Sequence, residues 1–118
     1  MTTLYGIPNC DTVKKARAWL AEHLGDYRFH DFRKDGLEAP AVARWYAAAG
    51  DRLINRRGTT WRGLDAATQT TADTPAGAQA LAVAHPALIK RPAVEWPDNT
   101  ITVGFDPQEW AEKAKSSI

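Results

Sequence analysis

The opening segment constrains the fold most, because it carries three elements in an order that few topologies allow. Thr3 to Gly6 is short and β-leaning, and it runs into Ile7-Pro8-Asn9, a tight connection. From Asp11 to Leu24 the apolar residues Val13, Ala16, Leu20 and Leu24 recur at helical spacing. Lys14, Lys15, Arg17 and Glu22 take the other faces, and Gly25 supplies a stop. Tyr27 to Arg33 alternates aromatic with polar residues and ends at the turn Lys34-Asp35-Gly36, so it reads as a second strand. Strand, helix and strand in this order predict a βαβ unit with a parallel pair and a right-handed crossover.

The middle of the chain reads as helical. Ala39 to Ala49 carries Val42, Trp45 and Ala49 on one face with Gly50 after it. Asp65 and Thr74 have the chemistry of N-caps for two more short helices, the second with Pro75 at its first position and an end near Pro86. Ala93 to Trp96 and Thr100 to Gly104 are β-prone and flank Pro97-Asp98-Asn99, a hairpin pattern. Asp106, Pro107 and Glu109 make a capping box, and Phe105 with Trp110 has the spacing of a hydrophobic staple, so a helix is expected from Pro107 to about Ser116. The order predicts an α/β fold in which helices cover a mixed four-stranded sheet. At 118 residues, a single domain over 1–118 is expected, with a helical insertion at about 37–86.

Composition excludes several functions. Fifteen basic against fourteen acidic side chains leave a net charge of +1, without the broad cationic surface that nucleic-acid binding needs. No run approaches the roughly 20 apolar residues of a membrane span. Met1-Thr2-Thr3-Leu4-Tyr5 lacks the basic region and apolar stretch of a signal peptide, so the cytoplasm is the expected location. A monomer without nucleic-acid or membrane partners is expected.

The single cysteine, Cys10, falls between the first strand and the first helix. There a sulfur faces unpaired backbone N–H groups and the positive end of a helix dipole, which favour the reactive thiolate. Elsewhere a lone cysteine reads as a small packed hydrophobe; after Pro8-Asn9 at this junction it reads as a nucleophile. Cys10-Asp11-Thr12-Val13 holds no second cysteine, so any disulfide formed in turnover is with an external thiol. Thr12 is expected either to donate its hydroxyl to the Cys10 sulfur or to satisfy N–H groups of the first turn. Arg56-Arg57 and Lys90-Arg91 are the basic pairs suited to an anionic substrate, and Arg91-Pro92 stands where a cis proline would present backbone to a neighbouring site. His23, His30 and His85 show no metal-ligand spacing with one another or with Cys10, so no metal site is expected. Thr59-Thr60-Trp61-Arg62 and the other tryptophans read as turn residues and core anchors.

Tyr5-Gly6-Ile7-Pro8-Asn9-Cys10-Asp11-Thr12-Val13-Lys14-Lys15-Ala16 and Phe29-His30-Asp31-Phe32-Arg33-Lys34-Asp35-Gly36-Leu37 carry a family resemblance. So do Asn55-Arg56-Arg57-Gly58-Thr59-Thr60-Trp61-Arg62, His85-Pro86-Ala87-Leu88-Ile89-Lys90-Arg91-Pro92 and Val103-Gly104-Phe105. With these segments the chain resembles the arsenate reductase/Spx family over nearly its whole length, most closely the YffB-like branch. The resemblance implies a thioredoxin-like, glutaredoxin-like fold with a helical insertion. It also implies a glutathione-dependent thiol reductase with no bound cofactor, glutathione as co-substrate and glutaredoxin as an electron-donor partner. By the same resemblance Cys10 is the catalytic nucleophile, acting on a disulfide, a mixed disulfide or an arsenate-like oxyanion. Thr12, Arg56, Arg91 and Pro92 are the expected substrate or anion site, and of these the resemblance matches Arg56 and Arg91 to two arginines around the oxyanion of the reductases. The third of those arginines falls near Gly104-Phe105, where this chain has no basic residue, and Gly6 stands where the reductases carry a histidine shortly before their cysteine. The alternative it implies is an Spx-like regulatory module that binds RNA polymerase, although the Cys-x-x-Cys switch of such regulators is absent. A third reading keeps the fold and leaves Cys10 a relic, or a sensor oxidised by peroxide.

Overall fold

The computed structural model describes residues 1–116. Its elements are β1 (Thr3–Gly6), α1 (Asp11–His23), β2 (Arg28–Asp31), α2 (Phe32–Asp35), α3 (Ala39–Ala49), α4 (Thr59–Arg62), α5 (Ala66–Thr70), α6 (Pro75–Ala84), β3 (Ala93–Glu95), β4 (Ile101–Val103) and α7 (Pro107–Ser116). Short 3₁₀ turns at Gly50–Leu53, Thr71–Asp73 and Pro86–Leu88 lie between them. The chain forms two compact units, one of Met1–Gly36 with the segment that begins at Arg91, the other of Leu37–Lys90.

The first unit holds the sheet, in the order β2-β1-β3-β4. β1 and β2 run parallel, and β1–β3 and β3–β4 run antiparallel, which gives the mixed four-stranded sheet that the element order predicts. Val13, Ala16 and Leu20, the stripe of α1 read from spacing, are fully buried with Leu4, Val94, Trp96 and Trp110, while Leu24 packs at the edge of this cluster. Trp110 sits at its centre, edge-on to Trp19, Trp96 and Phe105 at centroid distances of 5.7, 5.2 and 4.7 Å. The Phe105 contact is the expected staple, and Asp106 Oδ1 accepts from the backbone N–H groups of Gln108 (3.0 Å) and Glu109 (3.4 Å) to start α7. The second strand ends sooner than the expected Tyr27–Arg33. Asp31 Oδ1 accepts from Arg33 N at 2.8 Å and so caps a helical turn, α2, and Phe32 is buried from that turn rather than from a strand.

In the second unit α3 buries Val42 and Trp45 and leaves Ala49 half-exposed. Asp65 Oδ1 accepts from Thr68 N (2.7 Å) and Thr74 Oγ1 from Gly77 N (3.1 Å), the two caps expected for α5 and α6. Gly77 admits no side chain, because a Cβ there would run into the Thr71 carbonyl. An isolated antiparallel bridge joins Ile54 to Ile89, both buried. Among the described residues no helix is long and apolar enough to cross a membrane.

Candidate functional site

Cys10 is the N-cap of α1, with extended backbone (φ −98°, ψ 125°) and a carbonyl that accepts from Lys14 N at 2.9 Å. A serine or aspartate at an N-cap satisfies a first-turn N–H through its side chain. The free Cys10 thiol makes no such bond, so the first-turn donors and the dipole end remain available to charge brought to this position. The side chain is half-buried against the Leu4–Val13–Trp110 cluster, which holds one flank while the other meets solvent. Thr12 is exposed, and among the described residues its hydroxyl makes no hydrogen bond to the Cys10 sulfur. On the first turn of α1 its side chain stands out from the helix toward water, and the expected donation to sulfur is not formed.

Sheet register brings Arg91 and Pro92 to the same end of the sheet. Thr3 pairs with Glu95, Leu4 with Val94 and Tyr5 with Ala93, so the next pair along this ladder is Gly6 with Pro92, where the Cys10 loop leaves β1. Pro92 is fully buried, its carbonyl accepts from Gly104 N at 3.0 Å, and the Arg91–Pro92 peptide is cis. Arg91 is half-buried, and among the described residues its guanidinium makes no hydrogen bond or ion pair. An unpartnered guanidinium presents a fork of donors suited to a carboxylate or oxyanion.

A tie between this loop and α2 escapes sequence reasoning. Arg33 Nη2 donates to Asn9 Oδ1 at 3.1 Å, which ties the residue before Cys10 to α2. His30 Nε2 bonds the Gly36 carbonyl (2.7 Å), and Asp31 N donates to Asp35 Oδ2 (3.1 Å), so the turn that carries Arg33 is itself cross-braced. The aspartates flanking the Phe32-Arg33-Lys34 stretch are the local signal for such a turn.

Arg56 lies on the second unit. Its Nη2 and Nε donate to Asp51 Oδ1 (2.6 Å) and Oδ2 (3.2 Å), and its guanidinium carbon stands 4.5 Å from the Trp61 ring centroid. The Arg56 hydrogen bonds hold the Asp51 carboxyl below the usual carboxylate range, and the same pair raises the arginine further. One edge of the Arg56 fork is thus occupied by Asp51. Trp61 is half-exposed beneath it rather than a core anchor. Among the described residues no group of three or more His, Cys, Asp and Glu could hold a metal ion.

The ArsC family model matches residues 5–113. The chain is 43% identical to the solved YffB protein, with a TM-score of 0.89 over 97% of this chain and 99% of that one. It is 41% identical to an arsenate reductase-related protein from Brucella melitensis, with a TM-score of 0.72 over 94% of this chain and 92% of that one. It is also 26% identical to the global transcriptional regulator Spx of Streptococcus pyogenes, over 92% of this chain and 81% of that protein.

Proposed function

Because the chain belongs to the ArsC family and has its thioredoxin-like fold, we propose that it is a thiol-dependent reductase with Cys10 as its single nucleophile and glutathione as the resolving thiol. The observation that carries this reading is the Cys10 side chain. It caps α1 without a hydrogen bond of its own, at the sheet end to which β-register also brings the unpartnered Arg91.

The chemistry is a pair of thiol–disulfide exchanges. The Cys10 thiolate attacks the glutathionyl sulfur of a mixed disulfide. A Cys10–glutathione bond forms, the substrate's S–S bond breaks, and the substrate thiolate leaves and takes up a proton. A second glutathione thiolate then attacks the glutathionyl sulfur on Cys10, which frees the Cys10 thiolate and releases oxidised glutathione. The substrate disulfide is reduced and two glutathione sulfurs end oxidised, so electrons balance without a bound cofactor. The sulfur attacks and departs at the N-terminus of α1, where no side-chain cap occupies the first-turn N–H groups. Arg91 holds a carboxylate or oxyanion of the substrate, Pro92 supplies the buried wall beside Gly6, and Thr12 borders the site from solvent. Arg56, on the second unit, remains an anion-binding candidate by family resemblance alone, and glutaredoxin is the candidate donor protein. The same nucleophile and cation suit an arsenate-like oxyanion.

The test is steady-state turnover of arsenate, a low-molecular-weight disulfide and glutathionylated peptides with glutathione as reductant. Turnover of at least one, lost in Cys10→Ser, is the expected result. The Spx relative supports a second reading, a regulatory module that docks on RNA polymerase. Background rates with every substrate, together with capture of polymerase subunits from lysate, would replace the first reading with the second.

A further inference from the structure

The second unit contains an open pocket of about 480 Å³ lined by Asp51, Arg52, Ile54, Arg56, Arg57 and Lys90 together with Asn55. That volume lies in the range of small-molecule sites, roughly 300–1,000 Å³. Four cations therefore line one concavity with a single carboxylate, and that carboxylate is already neutralised by the Arg56 fork. The other three, Arg52, Arg57 and Lys90, make no side-chain hydrogen bond or ion pair among the described residues. The clustering is not a by-product of a basic protein, because the whole chain carries a net charge of only +1.

The backbone brings these charges together by construction. The Ile54–Ile89 bridge is flanked by Asn55 N donating to the Leu88 carbonyl (2.7 Å) and Lys90 N donating to the Leu53 carbonyl (2.8 Å). Two segments distant in sequence are thereby locked side by side, with Lys90 next to Leu53. Asn55 Oδ1 then accepts from Arg57 N (3.2 Å), and the Arg62 guanidinium donates to the Arg57 carbonyl, which fixes the turn that presents Arg57. Arg56, clamped between Asp51 and the Trp61 ring, forms a rigid wall. Unpaired like charges in one concavity repel one another, and a ligand of opposite charge relieves that repulsion while gaining several charge-assisted contacts.

We propose that this pocket binds a small oxyanion of two or more negative charges, a phosphate or carboxylate compound, through Arg52, Arg57 and Lys90. With a net charge of only +1 over the whole chain, these cations suit a small molecule rather than a nucleic-acid backbone. The site contains no thiol and does not rest on the reductase reading.

The test is a ¹⁵N chemical-shift titration of the full chain with pyrophosphate and, separately, citrate, each at constant ionic strength against sodium chloride. Saturable shifts centred on residues 51–57 and 90 are expected with at least one probe. A pyrophosphate response assigns the phosphate source and a citrate response the carboxylate source. Arg57→Gln and Lys90→Gln, both exposed side chains, should each weaken binding about tenfold, the loss of one charge-assisted contact. Cys10→Ser should bind as the unaltered chain does, so failure of this proposal and failure of the reductase reading are separable. Shifts that stay linear or are matched by sodium chloride would overturn the proposal, as would an unchanged Kd in both glutamine variants.

Discussion

At Gly6 the sheet and the helix that carries Cys10 approach closely, and Gly6→Ala measures how tight the approach is. A Cβ built there lies 2.8 Å from Val13 Cγ2 and 3.3 Å from Cγ1, whereas carbon atoms in good contact stand about 3.5–4.0 Å apart. Val13 has little freedom to yield. It is fully buried among Leu4, Ala16 and Leu20, and a β-branched residue in a helix holds essentially one χ1 rotamer. The methyl is relieved only if α1 withdraws from β1 by about 0.7 Å or Val13 leaves its rotamer, and overpacking of this kind costs about 1–3 kcal/mol. For a chain of this length each kcal/mol lowers Tm by about 4 °C, so Gly6→Ala should melt about 4–12 °C early. Val13→Ala removes the obstructing methyls at its own cavity cost of about 2 kcal/mol. The double variant should therefore be at least about 1 kcal/mol more stable than the two single losses combined. Urea unfolding of the four proteins gives the cycle. A Gly6→Ala protein within about 0.5 kcal/mol of the unaltered chain, or a double variant that is simply additive, would refute the close approach.

Treatment of the native protein with oxidised glutathione should leave one glutathione, on Cys10 and removable by fresh thiol; intact and digest mass spectrometry reads it, and a native chain that stays unmodified while the denatured chain reacts would sink the nucleophile assignment. Arg91→Ala should lower kcat/KM for an anionic thiol substrate by about 10- to 150-fold, the equivalent of about 1.5–3 kcal/mol for a lost charge-assisted contact, and Arg91→Lys should recover part of it. Unchanged kinetics would return Arg91 to the solvated surface. Asp51 is held below its ordinary value by Arg56, so its contribution to stability is present above a carboxylate's usual pKa of about 3.9 and is lost as pH falls through the lower folded value. With the Asp51 side chain 63% exposed, the pair contributes under about 1 kcal/mol. The urea midpoint of Asp51→Asn should fall below that of the unaltered chain at pH 6 and merge with it near pH 2; an equal gap at both would exclude the pair as its source.

What the sequence makes legible here is what neighbouring residues decide among themselves. The α1 stripe, the caps at Asp65, Thr74 and Asp106 and the Phe105–Trp110 staple each need only a few consecutive residues, and each is formed as read. The end of β2 is misread because Phe29-His30-Asp31-Phe32 alternates like a strand, while the competing signal, Asp31 capping its own successor turn, uses those same residues. Trp61 is misread for another reason. A tryptophan supplies core area by default, and only the fold shows that its ring carries Arg56 instead.

The candidate site divides along the same line. Cys10 at a strand-to-helix junction is a local fact, and the N-cap geometry follows from it. That Arg91 and Pro92 stand beside the same loop follows only from the β1–β3 register, which pairs residues about ninety positions apart and is set by which faces of the two strands are buried. The Arg33–Asn9 tie has no precursor in either segment, since neither residue's type announces a partner 24 positions away. The unpaired cations of the second unit are a sharper case. Arg56-Arg57 and Lys90 are visible as basic residues, but a solvated pair and a lined pocket have the same sequence, and only the Ile54–Ile89 bridge distinguishes them. If that bridge organises the pocket, replacing the buried Ile89 by alanine should cost about 2–5 kcal/mol of stability and loosen Lys90 from Leu53. Amide hydrogen exchange at Asn55 and Lys90, the two donors flanking the bridge, should then accelerate beyond the change at α1 amides in the same sample. Equal acceleration throughout would mean that the bridge carries only a share of global stability and that something else gathers the charges.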